Sequence, residues 1–364
     1  MKTKILLLSV GSLLGKVMLD VLAARRDKLW LIGANSHAET PQLFHCHQAH
    51  LLPPSHHSDY PQAFERLLAQ CTPDIILPGR DDDVIFLAQF RADHPEWAHA
   101  IPCGQADIAR IIHDKYTCYQ WAQSQGLPFA HSFLYTQDSL KALDSFLEQV
   151  SFPLLAKPRQ GFGSQGILFI EDRAHLERLG NTQALLLQEY LEPSETLMPY
   201  FEQYRQGMPL FFQIPETRQF SAQGLIHPDG DLGPVCCAQS TLVMGKTTRF
   251  EPIENPALSQ LFMDYATALS AAGWRGVVNL QAKPHPHTGV WKAFELNLRM
   301  SGGTACRLML GFDEMGHLMR AFYPEIAFPH VTRAQADIAI PVPQVQGFTR
   351  EHVKDLQTQG SYYP

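Results

Sequence analysis

Three features are missing from this 364-residue sequence. It has no run of about 20 apolar residues, the length that a membrane helix needs. Its seven cysteines are scattered and none belongs to a C-x-x-C pair, so a reducing cytoplasm is the expected location. Its net charge of -7 gives no electrostatic footprint for nucleic acid or an anionic membrane. We therefore expect a cytoplasmic protein with neither of these partners.

The N-terminal segment also lacks what a secretory signal needs. Two lysines precede an apolar run, but Gly11 and Gly15 interrupt that run and no convincing cleavage site follows it. The same segment starts an alternation of strands and helices. Strands are predicted at residues 4–10, 29–35 and 73–79, which indicates a doubly wound parallel sheet over the first hundred residues. Its glycine turn lacks the G-x-G-x-x-G spacing of dinucleotide-binding proteins, so a dehydrogenase is not favoured.

Beyond this region the pattern predicts a second, α+β unit. Helices are expected at 113–128 and 139–150, followed by strands at 152–158 and 166–172 and a third at 184–191. From residue 209 onward strands dominate, including a hairpin whose turn is the sequence PHPHTG. The tail after about residue 330 has no clear pattern.

The most informative segment is WKAFELNLRMSGGT, residues 291–304. Its alternation has the period of a strand, so Glu295, Asn297 and Arg299 share one face while apolar residues occupy the other. A carboxylate, an amide oxygen and a guanidinium in one row exceed what solubility requires.

The preceding strand adds further oxygen atoms to this face. The hairpin places Gln281 beside Glu295, and Asn279 lies on the same side of its strand. Carboxylate and amide oxygens suit Mg²⁺ that is also held by phosphates, and the fork of Arg299 suits a phosphate. The alternative is an edge hairpin with a surface Glu–Arg pair.

Upstream features point to the same chemistry. Lys157 ends an apolar strand and leads into the glycine-rich loop RQGFGSQG, whose backbone N–H groups can approach phosphate oxygens. Lys115 follows Asp114 at a helix start. The segment from Gln188 to Leu191 closes a strand where backbone and side chains can meet an adenine edge.

In this order the motifs resemble the ATP-grasp family, most closely its carbamoyl-phosphate synthetase-like branch. The resemblance covers roughly residues 1 to 325, and its most specific part is E-x-N-x-R-x-S-G-G behind N-x-Q. It implies an N-terminal pre-ATP-grasp domain with a doubly wound parallel sheet, followed by a two-lobed α+β ATP-grasp domain. The implied domains are 1–108, 109–185 (small lobe), 186–330 (C-terminal lobe) and an unassigned tail, 331–364.

The resemblance also implies roles for individual residues. Contacts to ATP are implied for Lys115, Lys157, Gly161, Gly163, Ser164, Gly166, Gln188, Glu189, Tyr190, Leu191 and Glu195. Metal ligation is implied for Gln281, Glu295 and Asn297, with Mg²⁺ as the ion and Mn²⁺ as its substitute. Arg299 would steady the transferring phosphoryl group, with Lys246 and Arg249 on a basic loop over the acyl-phosphate. The insertion after the adenine hinge makes the Glu195 assignment the weakest.

The implied activity is a standalone carboxylate–amine ligase that forms an amide through an acyl-phosphate and releases ADP and phosphate. A carboxylate kinase, a carboxylase or a non-catalytic nucleotide-binding subunit are the alternatives. Small-molecule carboxylate and amine substrates are the expected partners, and a homodimer is left open.

Two other clusters allow either a site or a structural interpretation. The histidine-rich segment 45–57 favours a proline-rich loop over a Zn²⁺ or Ni²⁺ site. The acidic run Asp81–Asp83 favours helix capping.

Overall fold

The computed structural model describes residues 2–161, 166–179, 184–207, 217–243, 246–329, 331, 336–342 and 349–363, except for the side chains of residues 217 and 246. The strands are β1 (Thr3–Leu7), β2 (Leu29–Asn35), β3 (Gln48–Leu51), β4 (Ile75–Leu77), β5 (Ser132–Tyr135), β6 (Leu154–Pro158), β7 (Leu168–Ile170), β8 (Leu185–Glu189), β9 (Thr217–Ile226), β10 (Cys236–Val243), β11 (Lys246–Pro252), β12 (Gly276–Pro284), β13 (Trp291–Asn297) and β14 (Ser361–Tyr362). The helices are α1 (Leu13–Leu22), α2 (Tyr60–Cys71), α3 (Asp81–Asp93), α4 (Ala106–His113), α5 (Lys115–Ser124), α6 (Leu140–Leu147), α7 (Arg173–Leu179), α8 (Met198–Arg205), α9 (Pro256–Ala271), α10 (Thr304–Met309), α11 (Glu314–Phe322) and α12 (Arg350–Gln359).

The N-terminal sheet has the strand order β14-β3-β2-β1-β4, and β1 to β4 are parallel. Helices α1 and α12 cover one face and α2 and α3 cover the other, as expected for strands that are apolar on both sides. Gly15 lets α1 pack on the turn after β1, because a Cβ atom there would lie 2.1 Å from the Val10 carbonyl oxygen. The prediction of a doubly wound sheet is confirmed.

The histidine-rich segment contains a strand, so its prediction as a loop is wrong. Residues 48–51 form β3 beside β2, and His50 is buried. His47 stacks on Trp30 and its Nδ1 accepts the Leu31 N–H at 2.9 Å. In the residues that the structure describes, no three His, Cys, Asp or Glu side chains gather as a metal site.

The remaining strands form two antiparallel sheets. The smaller has the order β5-β8-β6-β7 and packs on α6 and α7. The larger has the order β11-β10-β9-β12-β13, and α9 packs on one of its faces. We call the opposite face of this larger sheet the polar face. It bears the side chains of Gln281 and Glu295, which stand directly across from each other.

The end of the chain returns to the N-terminal sheet. Strand β14 pairs antiparallel with β3, while Val353 and Leu356 of α12 enter the core beneath that sheet. The predicted domain division, in which this tail is unassigned, stays a prediction. Of the helices in the described ranges, none has the length and apolar character needed to cross a membrane.

Candidate functional site

The predicted polar row is present at the end of β13. Asn297 Nδ2 donates to Glu295 Oε1 at 3.1 Å, and Arg299 Nη2 donates to Asn297 Oδ1 at 3.3 Å. The opposite face is apolar, with Leu296 and Leu298 buried. The shared face of the three polar residues, predicted from the period of two, is confirmed. Asn297 is itself buried.

The neighbouring strand supplies the predicted oxygen atoms. Register pairs Gln281 with Glu295 and Asn279 with Asn297. Asn279 is buried and donates to Gln223 Oε1 at 2.8 Å. Its side chain is therefore held by a protein partner beside Asn297. Gln281, Glu295 and Asn297 therefore form a set of hard oxygen donors of the kind that Mg²⁺ takes together with water and phosphate oxygens. The set fits the ion.

Lys157 joins the small sheet to this row. Its ammonium is buried, donates to Gln188 Oε1 at 2.7 Å and lies 3.5 Å from the Phe294 carbonyl oxygen. Burial lowers its pKa to about 8, although the nearby Glu295 carboxylate opposes the shift. We call Gln281, Glu295, Asn297 and Arg299 the metal row, after the ligand role predicted for the first three. A buried lysine beside the metal row is suited to meet a polyanion.

Lys115 lies against the start of the glycine-rich loop. Its ammonium donates to the Gly161 carbonyl oxygen at 3.1 Å, and Asp114 caps α5 by accepting from Tyr116 N at 2.9 Å. Gly161 and Gly166 both have positive φ, at 135° and 73°, which explains glycine at these positions. The predicted loop residues 163 and 164 lie outside the described residues.

The predicted adenine hinge departs from expectation in its side chains. Gln188 is buried between Lys157 and Ser132. Glu189 is buried, accepts from Lys292 at 2.6 Å and from the His131 N–H at 2.8 Å. Both side chains are thus held by protein partners, and the Glu189 backbone N–H donates to the His131 carbonyl oxygen at 2.9 Å.

The remaining hinge residues differ in exposure. Leu191 is buried and Glu195 is exposed. The Tyr190 ring packs edge-on against Phe169, with ring centres 5.9 Å apart. Leu191 belongs to the hydrophobic core that α9 shares with the large sheet.

Arg249 is not brought to the predicted site. The segment is not a loop but the β10–β11 hairpin, at the opposite edge of the large sheet from β13. Residues that pair across neighbouring strands lie on the same face of a sheet. The pairing from Glu295 through Gln281 therefore extends the polar face to Ser221, Ala238 and Pro252. Arg249 is three residues before Pro252 on the same strand, so it lies on the other face. There it forms an ion pair with Glu251. The side chain of Lys246 lies outside the described part of the chain.

Sequence reasoning missed the partners that hold the site. Arg299 Nη2 donates to Asp81 Oδ2 at 2.7 Å, which ties the start of α3 to the metal row. Its Nε has no partner among the described residues. Lys283, buried at the end of β12, pairs with Glu192 just beyond the hinge. No local signal reveals these pairs, since their members are far apart in sequence.

A cleft of about 250 Å³ opens at the carboxyl ends of the parallel strands, where ligands of open α/β sheets bind. Ser9, His56, Arg80 and Asp82 are among the residues that line it. Ser9 has a φ of 45°, rare for a residue other than glycine, and its hydroxyl donates to the buried Asp83. Arg80 and Asp82 stand in sequence on either side of Asp81, the acceptor of the Arg299 guanidinium.

Comparison with known proteins yields structural likeness only. No family model matches the chain, and no curated protein matches it. The structure is similar to N5-carboxyaminoimidazole synthetase from Staphylococcus aureus complexed with ADP, with a TM-score of 0.65 and 12% identity over 93% of this chain and 81% of that one. The biotin carboxylase domain of Hydrogenobacter thermophilus 2-oxoglutarate carboxylase, in complex with MgADP and bicarbonate, gives a TM-score of 0.63 and 14% identity over 93% and 73%.

L-amino acid ligase from Bacillus licheniformis gives a TM-score of 0.61 and 13% identity over 88% of this chain and 74% of that one. These three proteins are ATP-grasp enzymes, and the match in each case spans both the N-terminal sheet and the two antiparallel sheets. The chain therefore has the ATP-grasp fold, with the N-terminal domain that accompanies it.

Proposed function

We propose that the protein is an ATP-dependent ligase that joins a carboxylate to an amine through an acyl-phosphate, releasing ADP and phosphate. The observation that carries the proposal is the contact between two sheets: the Lys157 ammonium lies 3.5 Å from the main chain of the strand that presents Glu295, Asn297 and Arg299. Phosphoryl transfer depends mainly on positioning and charge neutralisation, and this junction supplies both without a protein nucleophile.

The residues at this junction have separate roles. Lys115 and Lys157 neutralise phosphate charge from the small-sheet side. Gln281, Glu295 and Asn297 would hold Mg²⁺, which supplies charge stabilisation to the β- and γ-phosphates when bound. The planar fork of Arg299 aims at the transferring group and is anchored at one nitrogen by Asp81.

The second substrate is proposed to lie in the N-terminal cleft. The cleft is lined by groups of both charges, Arg80 and Asp82, which stand in sequence on either side of Asp81, the acceptor of the Arg299 guanidinium.

The first test is the product of ATP turnover. With Mg²⁺ and a mixture of carboxylic acids and amines, we expect ADP and phosphate by chromatography. AMP with pyrophosphate would exclude the mechanism. ADP release that needs bicarbonate as the acid, with transfer of its carboxyl group to an acceptor, would identify a carboxylase, and accumulation of an acyl-phosphate without an amine requirement would identify a kinase. Nucleotide binding without turnover would leave a non-catalytic subunit.

The second test removes one ligand charge. Glu295→Gln should lower kcat by about 100-fold or more and raise the Mg²⁺ concentration needed, because a hard carboxylate becomes a neutral amide. Glu251→Gln is the matched control, since Glu251 lies on the same sheet but faces away from the row and pairs with Arg249. Equal activity of the two variants would contradict the metal assignment.

A further inference from the structure

A second polar cluster lies on the polar face of the large sheet, beyond the metal row. Its centre is Arg307 of α10, which is 1% exposed. Nη1 donates to Glu314 Oε1 at 2.8 Å and to Ser301 Oγ at 2.9 Å, and Nη2 donates to Ser221 Oγ at 3.2 Å. The guanidinium also lies 5.1 Å from the centre of the Phe250 ring. One side chain thus contacts β9, β11, α11 and the turn that follows Arg299.

Glu314 completes the cluster from α11. Its carboxylate is buried and accepts from Thr304 Oγ1 at 2.6 Å and from Gln223 Nε2 at 3.2 Å, besides Arg307. Gln223 in turn accepts from Asn279, the residue directly across from Asn297 in the metal row. Hydrogen bonds therefore run without a break from the strand beside the metal row to the turn after it.

The turn itself is held on two sides. Ser301 is bonded to Arg307, and Gly303 lies so close to the Phe250 ring that a Cβ atom would stand 2.6 Å from it. The turn begins two residues after Arg299, whose Nη1 donates to the Met300 carbonyl oxygen at 3.1 Å. A shift of the turn would therefore shift the base of the Arg299 side chain.

Stability alone does not explain a buried ion pair here. Two apolar side chains of similar volume are often as stabilising as such a pair, because desolvation offsets the attraction. The pair instead fixes orientation. A planar guanidinium with three hydrogen-bond partners permits one arrangement of the elements that carry those partners.

We infer that Arg307 and Glu314 are a positioning pair that fixes the Ser301–Gly303 turn and, through it, the aim of the Arg299 fork at the transferring phosphoryl group. The inference rests on the proposed function, because the phosphoryl group belongs to that reaction. Neither residue touches substrate.

The test compares three variants with the wild type. Arg307→Met/Glu314→Met replaces the whole pair and avoids leaving a lone buried charge. Arg307→Lys keeps the charge but loses the fork. Arg25→Met/Asp313→Asn is the control: Arg25, which follows α1, forms another buried ion pair with Asp313, the N-cap residue of α11, and asparagine retains a capping oxygen. Two affinities are measured by calorimetry, for MgADP and for MgADP with fluoroaluminate, a mimic of the transferring phosphoryl group.

The double methionine variant should bind MgADP within about twofold of wild type but lose about tenfold or more in fluoroaluminate affinity, the size expected for a residue that orients a ligand group. Its kcat should fall in parallel, Arg307→Lys should be intermediate, and the Arg25 control should retain wild-type values. Wild-type fluoroaluminate affinity in the double variant would overturn the inference while leaving the function intact. Failure of the wild type to bind MgADP would instead refute the proposed function.

Discussion

The pKa of the buried Lys157 ammonium would set the pH range over which the proposed site binds ATP. Its ammonium lies beneath the metal row with Gln188 as its hydrogen-bond acceptor, and burial lowers its pKa to about 8. The group is therefore charged below that pH and neutral above it, whereas an ordinary lysine would stay charged. Phosphates prefer the charged form, so the ATP binding that we propose would be linked to a proton.

The KM for ATP should accordingly be constant below about pH 8 and rise by about tenfold for each pH unit above it. Steady-state ADP release measured across this range gives the profile. Lys157→Met should bind ATP weakly and without this pH dependence. A wild-type KM that stays flat through the same range would show that the lysine does not meet the phosphates.

At the scale of elements, the β10–β11 hairpin decides which arginine can act. Arg249 and Arg299 are both arginines near apolar strands, but the register of five strands puts them on opposite faces of one sheet. The Arg299 guanidinium is tied to Asp81 and Asn297, whereas Arg249 pairs with its neighbour Glu251.

We therefore expect Arg249→Ala to leave kcat and the KM for the carboxylic acid within about twofold, as surface ion pairs contribute little. Arg299→Ala should lower kcat by about 100-fold, the usual cost of losing one electrostatic contact to the transition state. Kinetics with acid as the varied substrate separates the two. A selective rise in acid KM for Arg249→Ala would mean that the hairpin reaches the site.

Helix α8, within the insertion after the hinge, packs on the small sheet. Phe201 is 2% exposed and clusters with Leu197 and Phe169, the ring that also meets Tyr190 of the hinge. Phe201 thus belongs to a small apolar core, whereas Met198 and Tyr204 of the same helix are exposed. Helix α8 therefore packs against the ring that contacts the predicted hinge.

Phe201→Ala should weaken this packing by about 3–5 kcal/mol, the usual cost of removing a buried aromatic ring. Hydrogen exchange in residues 194–205 should accelerate, and the KM for ATP should rise with little change in kcat. Gln203→Ala, an exposed change on the same helix, should have neither effect. Unchanged exchange in the Phe201 variant would show that the helix is held by other contacts.

At the scale of the whole molecule, the C-terminal segment ties the two ends of the chain together. Strand β14 covers the edge of β3, which would otherwise expose unpaired backbone groups. Leu356 is fully buried against the N-terminal core. Residues 350–362 thus pack on the N-terminal sheet, whereas Ala339, earlier in the same tail, pairs with Phe250 of β11.

Leu356→Ala should lower the free energy of unfolding by roughly 2–5 kcal/mol, because it leaves a cavity in that core. Urea denaturation monitored by fluorescence gives the value. The exposed substitution Lys354→Ala on the same helix serves as the control and should change stability by less than about 0.5 kcal/mol. Activity per folded molecule should survive both changes, since neither residue lies near the metal row.

The sequence alone determined the features that depend on local period and composition. Alternation in residues 291–299 predicted that Glu295, Asn297 and Arg299 share a face, since side chains along a strand alternate wherever that strand lies. Alternating strand and helix patterns likewise predicted the N-terminal parallel sheet. The short strand β3 was missed because four residues between prolines and histidines carry too weak a signal.

Only the tertiary structure decided which groups meet. Asp81 and Arg299 are 218 positions apart, and Glu189 and Lys292 are 103 apart. Their pairing depends on how separate sheets dock, which no local pattern encodes. The burial that lowers the pKa of Lys157 and the register that turns Arg249 away from the metal row have the same origin. The side chain determines which chemistry a residue can perform, but contacts with distant parts of the chain determine the surroundings of that residue.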